Sequence, residues 1–197
     1  GLVNDSKGKK MSKSKGNVVN PLELTEKFGT DALRMWLVVG NPPGSETALS
    51  ENKIKGYRNF GNKIWNITRF IVSNYTHSDK TTEKTETEQD LALIKELQDI
   101  TKDITSDLEE CRYHLASEKV YHYIWDRLAD KILEESKPIL AGADENQKIS
   151  RQQTLLTLLK TSLKLLHPFM PFVTEEIWSM LPEKSGLLMV ETWPEIQ

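Results

Sequence analysis

The chain has a single cysteine, Cys111, among its 197 residues. No internal disulfide can form, and the fold must rest on burial. Its place in an apolar helical series predicts a buried thiol and not a nucleophile. Histidine is also scarce, with 4 in the chain, and their spacing does not match a metal-binding motif, so no metal site is expected. No apolar run approaches the roughly 18 residues of a membrane span. Excluding disulfide scaffold, metal centre and membrane helix leaves an ordinary globular composition. Charged residues make up 28% and hydrophobic residues 38%, in a length ample for one core with a small appendage.

The net charge of −3 conceals an asymmetry. Residues 1–76 carry 12 Lys and Arg against 6 Asp and Glu, whereas residues 77–197 carry 14 against 23. The basic part suits phosphate-bearing partners. The acidic remainder argues against a nonspecific coat on nucleic acid, so recognition there rests on particular side chains.

Residues 7–17 read KGKKMSKSKGN. No apolar period runs through them, which predicts a loop, and Gly8 and Gly16 bracket it and would let it move. Ammonium and hydroxyl groups on such a loop suit a polyphosphate. A basic surface turn is the competing reading from composition alone.

The word Lys10-Met11-Ser12-Lys13-Ser14, followed by Gly16-Asn17-Val18-Val19-Asn20-Pro21, resembles the signature loop of class I aminoacyl-tRNA synthetases. Asp31-Ala32-Leu33-Arg34 follows at the spacing of the isoleucyl, leucyl, valyl and methionyl branch. The stretch from Gly56-Tyr57-Arg58-Asn59-Phe60 through Asn62-Lys63-Ile64-Trp65-Asn66 to Arg69-Phe70 is most similar to valyl enzymes. Leu166-His167-Pro168-Phe169-Met170-Pro171-Phe172-Val173-Thr174-Glu175-Glu176-Ile177-Trp178 resembles the last helices of that branch, and Leu188-Met189-Val190 with Trp193-Pro194 its closing segment. The resemblance spans nearly the whole chain, with residues 77–90 as the main gap.

The resemblance implies a C-terminal portion of a larger cytoplasmic, monomeric enzyme that activates valine with Mg-bound ATP and transfers it to tRNA(Val), with no membrane partner. The other ATP signature of the class, of His-Ile-Gly-His type, is absent from this sequence, as are nucleotide-binding strand–helix repeats and an editing domain. The chain alone is therefore expected to be inactive. The same region of an isoleucyl or leucyl enzyme, and a stand-alone helical interaction module, remain as alternative readings.

Sequence pattern predicts an all-α antiparallel bundle, which the resemblance equates with the anticodon-binding domain. The expected division is 1–49, the loop and connecting helices at a catalytic edge, and 50–197, the bundle. A strand precedes residues 4–5. Asn20 caps a short helix that has Pro21 at its first position and ends at Gly29. A second helix covers 31–39. Ser50 caps a long helix to about residue 75, with Ile54, Tyr57, Gly61, Ile64, Thr68, Ile71 and Tyr75 inward at 3,4 spacing. A solvated linker covers 77–89. The next helix turns Leu91, Ile94, Leu97, Ile104, Leu108, Cys111 and Leu115 inward. Another covers 117–135 with Val120, Ile124, Leu128 and Ile132 buried, ended by Pro138. Helices over 152–166 and 174–181 follow, the chain being broken at Pro168 and Pro171, and 187–193 reads as a strand.

On the resemblance, Lys10 and Lys13 contact ATP and are the catalytic candidates. Ser12 and Ser14 shape the loop or bond phosphate oxygens, and Met11 anchors it by packing. Asp31 and Arg34 read as a structural tie between the catalytic edge and the bundle. Unstacked RNA bases need aromatic faces and Arg or Asn edges. Arg69 and Phe70 are the first candidates for them, with Arg58, Asn62 and Asn66 on the adjoining stripe; core packing is the alternative for Phe70. Trp65, Trp125 and Trp178 read as core, and His167 as a satisfied helix-end residue.

Overall fold

The computed structural model describes residues 2–76, 86–182 and 186–194. The linker expected over 77–89 falls mostly outside these, and its last two positions, Glu88 and Gln89, are helical. The expected all-α class is observed: the described residues form helices joined by turns and loops, and the strands among them make one two-stranded parallel pair. In it β1 (Val3–Asn4) lies beside β2 (Thr47–Ala48).

Local sequence sets the first helices. The Asn20 side chain accepts from the Leu22 amide at 3.0 Å and Pro21 takes the first position of α1 (Pro21–Phe28), where its missing donor costs nothing. Gly29, at φ 92°, turns the chain directly into α2 (Thr30–Val38). The Ser50 hydroxyl accepts from the Lys53 amide to open α3 (Glu51–Asn74). The inward set expected for α3 is buried at Ile54, Gly61, Ile64, Thr68 and Ile71, and half-buried at Tyr57 and Tyr75. Phe60 and Ile67 join it.

The bundle continues with α4 (Glu88–Glu109), capped by Thr87, and a long helix of three parts. These are α5 (Tyr113–His122), a π-helical segment (Tyr123–Ile132) and α6 (Leu133–Leu140). Then come α7 (Glu145–Leu166), opened by Asp144, and α8 (Pro171–Met180). Val120, Ile124, Leu128 and Ile132 are buried as expected. The main core gathers α3 to α8 around Phe60, Ile104, Leu128, Leu158 and Leu163. A smaller cluster, Leu24, Phe28, Ala32, Leu33, Trp36, Leu49 and Ile54, lies under the N-terminal segment.

Several expectations need correction. Leu91 is 48% exposed and Ile94, Leu108 and Leu115 are half-buried. Leu97 and Ile104 are buried as expected, and the rest of the inward stripe of α4 is Asp90, Leu93, Thr101 and Asp107. Three of these are polar and carry internal partners. Arg151 meets Asp90 at 2.5 Å, the Thr101 hydroxyl donates to Leu97 O, and Lys119 and Arg112 meet Asp107. An apolar count therefore misses these polar positions and departs from the stripe toward both ends of the helix. Cys111 is exposed, at φ 58° in the turn that joins α4 to α5, because the helix stops at Glu109 before reaching it. Pro138 lies inside α6 and does not end it. The proline removes one donor, while the Ala141 amide still reaches Lys137 O and Leu140 is buried beyond it. Pro171 begins α8 rather than breaking the chain before it. The segment near the C-terminus is a 3-10 turn, Leu188–Val190, not a strand. The Glu175 carboxylate accepts from the amides of Leu188 and Met189, a side chain supplying what a neighbouring strand would have supplied. Trp178 is core, but Trp65 and Trp125 are half-buried.

Candidate nucleotide loop and nucleic-acid face

Two side chains build the lysine-rich loop from inside. The Asp5 carboxylate accepts from the amides of Lys7 and Lys9 at 3.0 and 2.8 Å. This closes a turn in which Gly8 sits at φ 74°, a region open to glycine. The other Asp5 oxygen accepts from Asn17 Nδ2 at 2.8 Å. Asn17 in turn accepts from the Ser12 amide at 2.9 Å and donates to Lys10 O at 3.3 Å. The hydrogen bonds from Asn17 and the Lys9 amide hold the Asp5 carboxyl below its ordinary value.

What this frame displays is the candidate phosphate site. Lys13–Lys15 make one 3-10 turn closed by Gly16 at φ 64°. The hydroxyls of Ser12 and Ser14 stand 2.7 Å apart. Lys10, Lys13 and Ser14 are exposed. Met11 is half-buried against the smaller apolar cluster, the anchoring role expected of it. The loop thus keeps its backbone ordered while leaving its cations in solvent. The composition marked the lysines but not Asp5 and Asn17; the turn spacing Asp5-x-x-Gly8 was the available signal.

On α3 the helix brings Arg58, Asn62, Asn66 and Arg69 onto one exposed stripe. No carboxylate occurs anywhere from residue 52 to 74. Arg58 reaches Lys27 O at the end of α1 at 3.5 Å. Phe70 is half-buried and packs against the main core, so its ring body serves packing and only its remainder faces outward. One flank of the stripe carries Lys63, whose ammonium lies 4.1 Å from the Trp125 ring and 2.6 Å from Asp130. Tyr121 stacks on Trp125 with centroids 5.8 Å apart. The other flank is an open groove of about 370 Å³ between α3 and α8, where Trp65 and Phe172 line the walls. Sequence reasoning passed over Lys63 and Phe172.

The N-terminal segment is tied to the bundle by complementary helix ends. Asp31 accepts from the Phe172 and Val173 amides at 3.3 and 2.7 Å, at the start of α8. Arg34 donates to Pro168 O and Phe169 O at 2.9 and 3.2 Å, just past the end of α7. A carboxylate at a helix N-terminus and a guanidinium at a C-terminus each oppose the local dipole. Burial pushes the Asp31 carboxyl above its ordinary value, against the two amides that favour its charge. His167, bonded to the Thr174 hydroxyl at 2.8 Å, is held below its ordinary value by burial. Neither Asp31 nor Arg34 is left for chemistry, which agrees with the structural tie expected of them.

Among the described residues no cluster of His, Cys, Asp and Glu could hold a metal ion. None of the described helices is long and apolar enough to cross a membrane.

Comparison with known proteins matches residues 90–197 to the anticodon-binding domain of tRNA ligase, and residues 1–50 to tRNA synthetases class I (I, L, M and V). The valine–tRNA ligase of Clostridium tetani is 40% identical over 200 residues, covering 100% of this chain and 23% of that protein. The valine–tRNA ligase of Agrobacterium fabrum is 41% identical, covering 98% of this chain and 21% of that protein. The chain thus spans under a quarter of the length of these curated relatives. In structure it matches a LeuRS from Agrobacterium radiobacter K84, solved as a ternary complex with tRNA and LeuAMS. That match has TM-score 0.74 and 24% identity over 100% of this chain and 24% of the other, a likeness of fold.

Proposed function

The chain belongs to the anticodon-binding domain of tRNA ligase family, and from that premise we propose that it is the loop-and-anticodon portion of a monomeric valine–tRNA ligase. Residues 1–49 carry the ATP-facing loop, over its own small apolar cluster, and residues 50–197 form the tRNA-facing bundle. In the whole cytoplasmic enzyme a carboxylate oxygen of valine attacks the α-phosphorus of Mg-bound ATP, and the bond to the departing pyrophosphate breaks. Lys10 and Lys13 meet the charge that grows on that leaving group, and Ser12 and Ser14 bond its oxygens. Stabilisation that grows with the charge lowers the barrier instead of only tightening the substrate.

The observation that carries the tRNA part is the α3 face. Arg58, Asn62, Asn66 and Arg69 are exposed together on a helix with no carboxylate from 52 to 74. A polyanion meets no carboxylate on this stripe, and the Arg and Asn side chains offer donors to base edges. Phe70 contributes an edge beside Arg69 while its body packs inward. The test is titration of the chain with a valine anticodon stem-loop and with the same stem-loop carrying a different anticodon. Weak binding that prefers the valine sequence is expected, with shallow salt dependence for an RNA binder because the rest of the chain is acidic. Equal affinity for both, or no binding, would contradict the reading. Preference for an isoleucine or leucine anticodon would transfer it to the sister enzymes.

A further inference from the structure

Of the five phenylalanines, four are buried or half-buried and one, Phe172, is 64% exposed. It stands in the first turn of α8, and its own amide and that of Val173 are held by the Asp31 carboxylate. The ring is therefore mounted on a fixed backbone, and little conformational freedom is left to lose when something covers it. It faces an open groove of about 370 Å³ whose lining includes Arg58, Asn62 and Trp65 from α3 and Glu176 from α8. The space is wide enough for a flat aromatic guest.

The chemistry of the rim selects the guest. Arg58 and Asn62 offer donors, Asn62 and Glu176 offer acceptors, and two aromatic rings offer faces. Glu176, which is exposed, would repel a phosphate but can accept from an exocyclic amine. The neighbouring α3 stripe is cationic and free of carboxylates, so the polymer it attracts is a polyanion. A nucleobase meets all of these conditions: it is flat, apolar on its faces, polar at its edges, and carried on an anionic chain.

Resting on the RNA-binding reading above, we propose that this groove is a second base slot, in which an unpaired nucleobase of the bound tRNA stacks on Phe172 with its edge toward Arg58, Asn62 and Glu176. At ~1.5 Å per residue, the groove level of α3 near residue 61 lies about 12 Å along the helix from Arg69. The two slots therefore take different nucleotides of one strand.

The test is fluorescence anisotropy with a labelled valine anticodon stem-loop on wild type, Phe172→Ala, Phe172→Leu, Arg69→Ala and the Phe172→Ala/Arg69→Ala double variant, with thermal melts of each. Phe172→Ala should weaken binding about tenfold, the value of one stacked base, with an unchanged melt. Phe172→Leu should lose nearly as much, since an aliphatic side chain of similar bulk gives no stacking face. The double variant should lose the product of the two single effects. Wild-type affinity in Phe172→Ala, alongside a loss in Arg69→Ala, overturns the slot but leaves the RNA-binding reading standing. Full affinity in Phe172→Leu also overturns it, because the contact would then be apolar packing. Failure of wild type to bind the stem-loop at all overturns the RNA-binding reading first and this proposal with it.

Discussion

The loop at residues 7–17 and the helix α3 are both basic and both exposed, yet they are held in opposite ways. The loop rests on two polar side chains, Asp5 and Asn17, that bond its backbone from one side, with Met11 packed against apolar neighbours. The helix rests on Ile54, Phe60, Gly61, Ile64, Ile67, Thr68 and Ile71, all buried. Burial of that kind contributes about 1.5–3 kcal/mol per large apolar side chain, whereas each hydrogen bond of the loop contributes about 0.5–1.5 kcal/mol net. On the proposed function, cations that follow charge as it moves from one atom to another are carried on the more easily rearranged part, and side chains that read a fixed partner on the part that does not rearrange. The Asp31 and Arg34 contacts join the two.

The sharpest way to separate the regions is Lys13→Ala in the full-length enzyme. Losing one charge-assisted contact made mainly in the transition state should slow adenylate formation about a hundredfold, near 3 kcal/mol, with valine binding and the melt nearly unchanged. Single-turnover adenylation at the wild-type rate would remove the loop from the chemistry. Cutting the junction comes next. Asp31→Ala leaves two amides at the start of α8 without their acceptor and should lower stability of the chain by about 1–3 kcal/mol in urea unfolding. Asp31→Asn should cost less, since burial already works against the Asp31 charge. An Asn variant as damaged as the Ala variant would mean that the charge itself, and not the accepted bonds, secures the joint.

The smallest effect is a local response to acid. The folded Asp5 carboxyl is held below its ordinary value of 3.8 by Asn17 and the Lys9 amide. Its contribution is therefore present above that value and lost as pH falls through the lower, folded one. Amide resonances of Lys9 and Ser12 should shift on acidification below 3.8, and Asn17→Ala should move the onset upward. Resonances that stay fixed until the whole bundle unfolds would show that the loop is not an independently held unit.

The helix α3 was almost fully legible in sequence, because Ser50 caps it and its 3,4 apolar spacing is unbroken. The lysines were legible as composition and as a word. What escaped was set by partners distant in sequence. Asp90 and Asp107 carry no apolar signal and owe their burial to Arg151 and Lys119, so only Leu97 and Ile104 of the α4 stripe were legible. Pro138 read as a stop because sequence does not show that Leu140 is buried beyond it. Phe172 escaped because its meaning depends on α8 lying against the part of α3 that carries Arg58, Asn62 and Trp65, far earlier in the sequence. The Asp5–Asn17 frame escaped because side chains bonding backbone leave no periodicity.

On the proposed function α3, and not the lysine loop, meets the anticodon. At 22.6 kDa the chain is suited to resonance mapping during titration with the valine anticodon stem-loop. The side-chain signals of Arg58, Asn62, Asn66, Arg69 and Phe70 should shift in proportion to occupancy while the amides of residues 7–17 stay in place. Shifts confined to residues 7–17, with α3 unmoved, would contradict it.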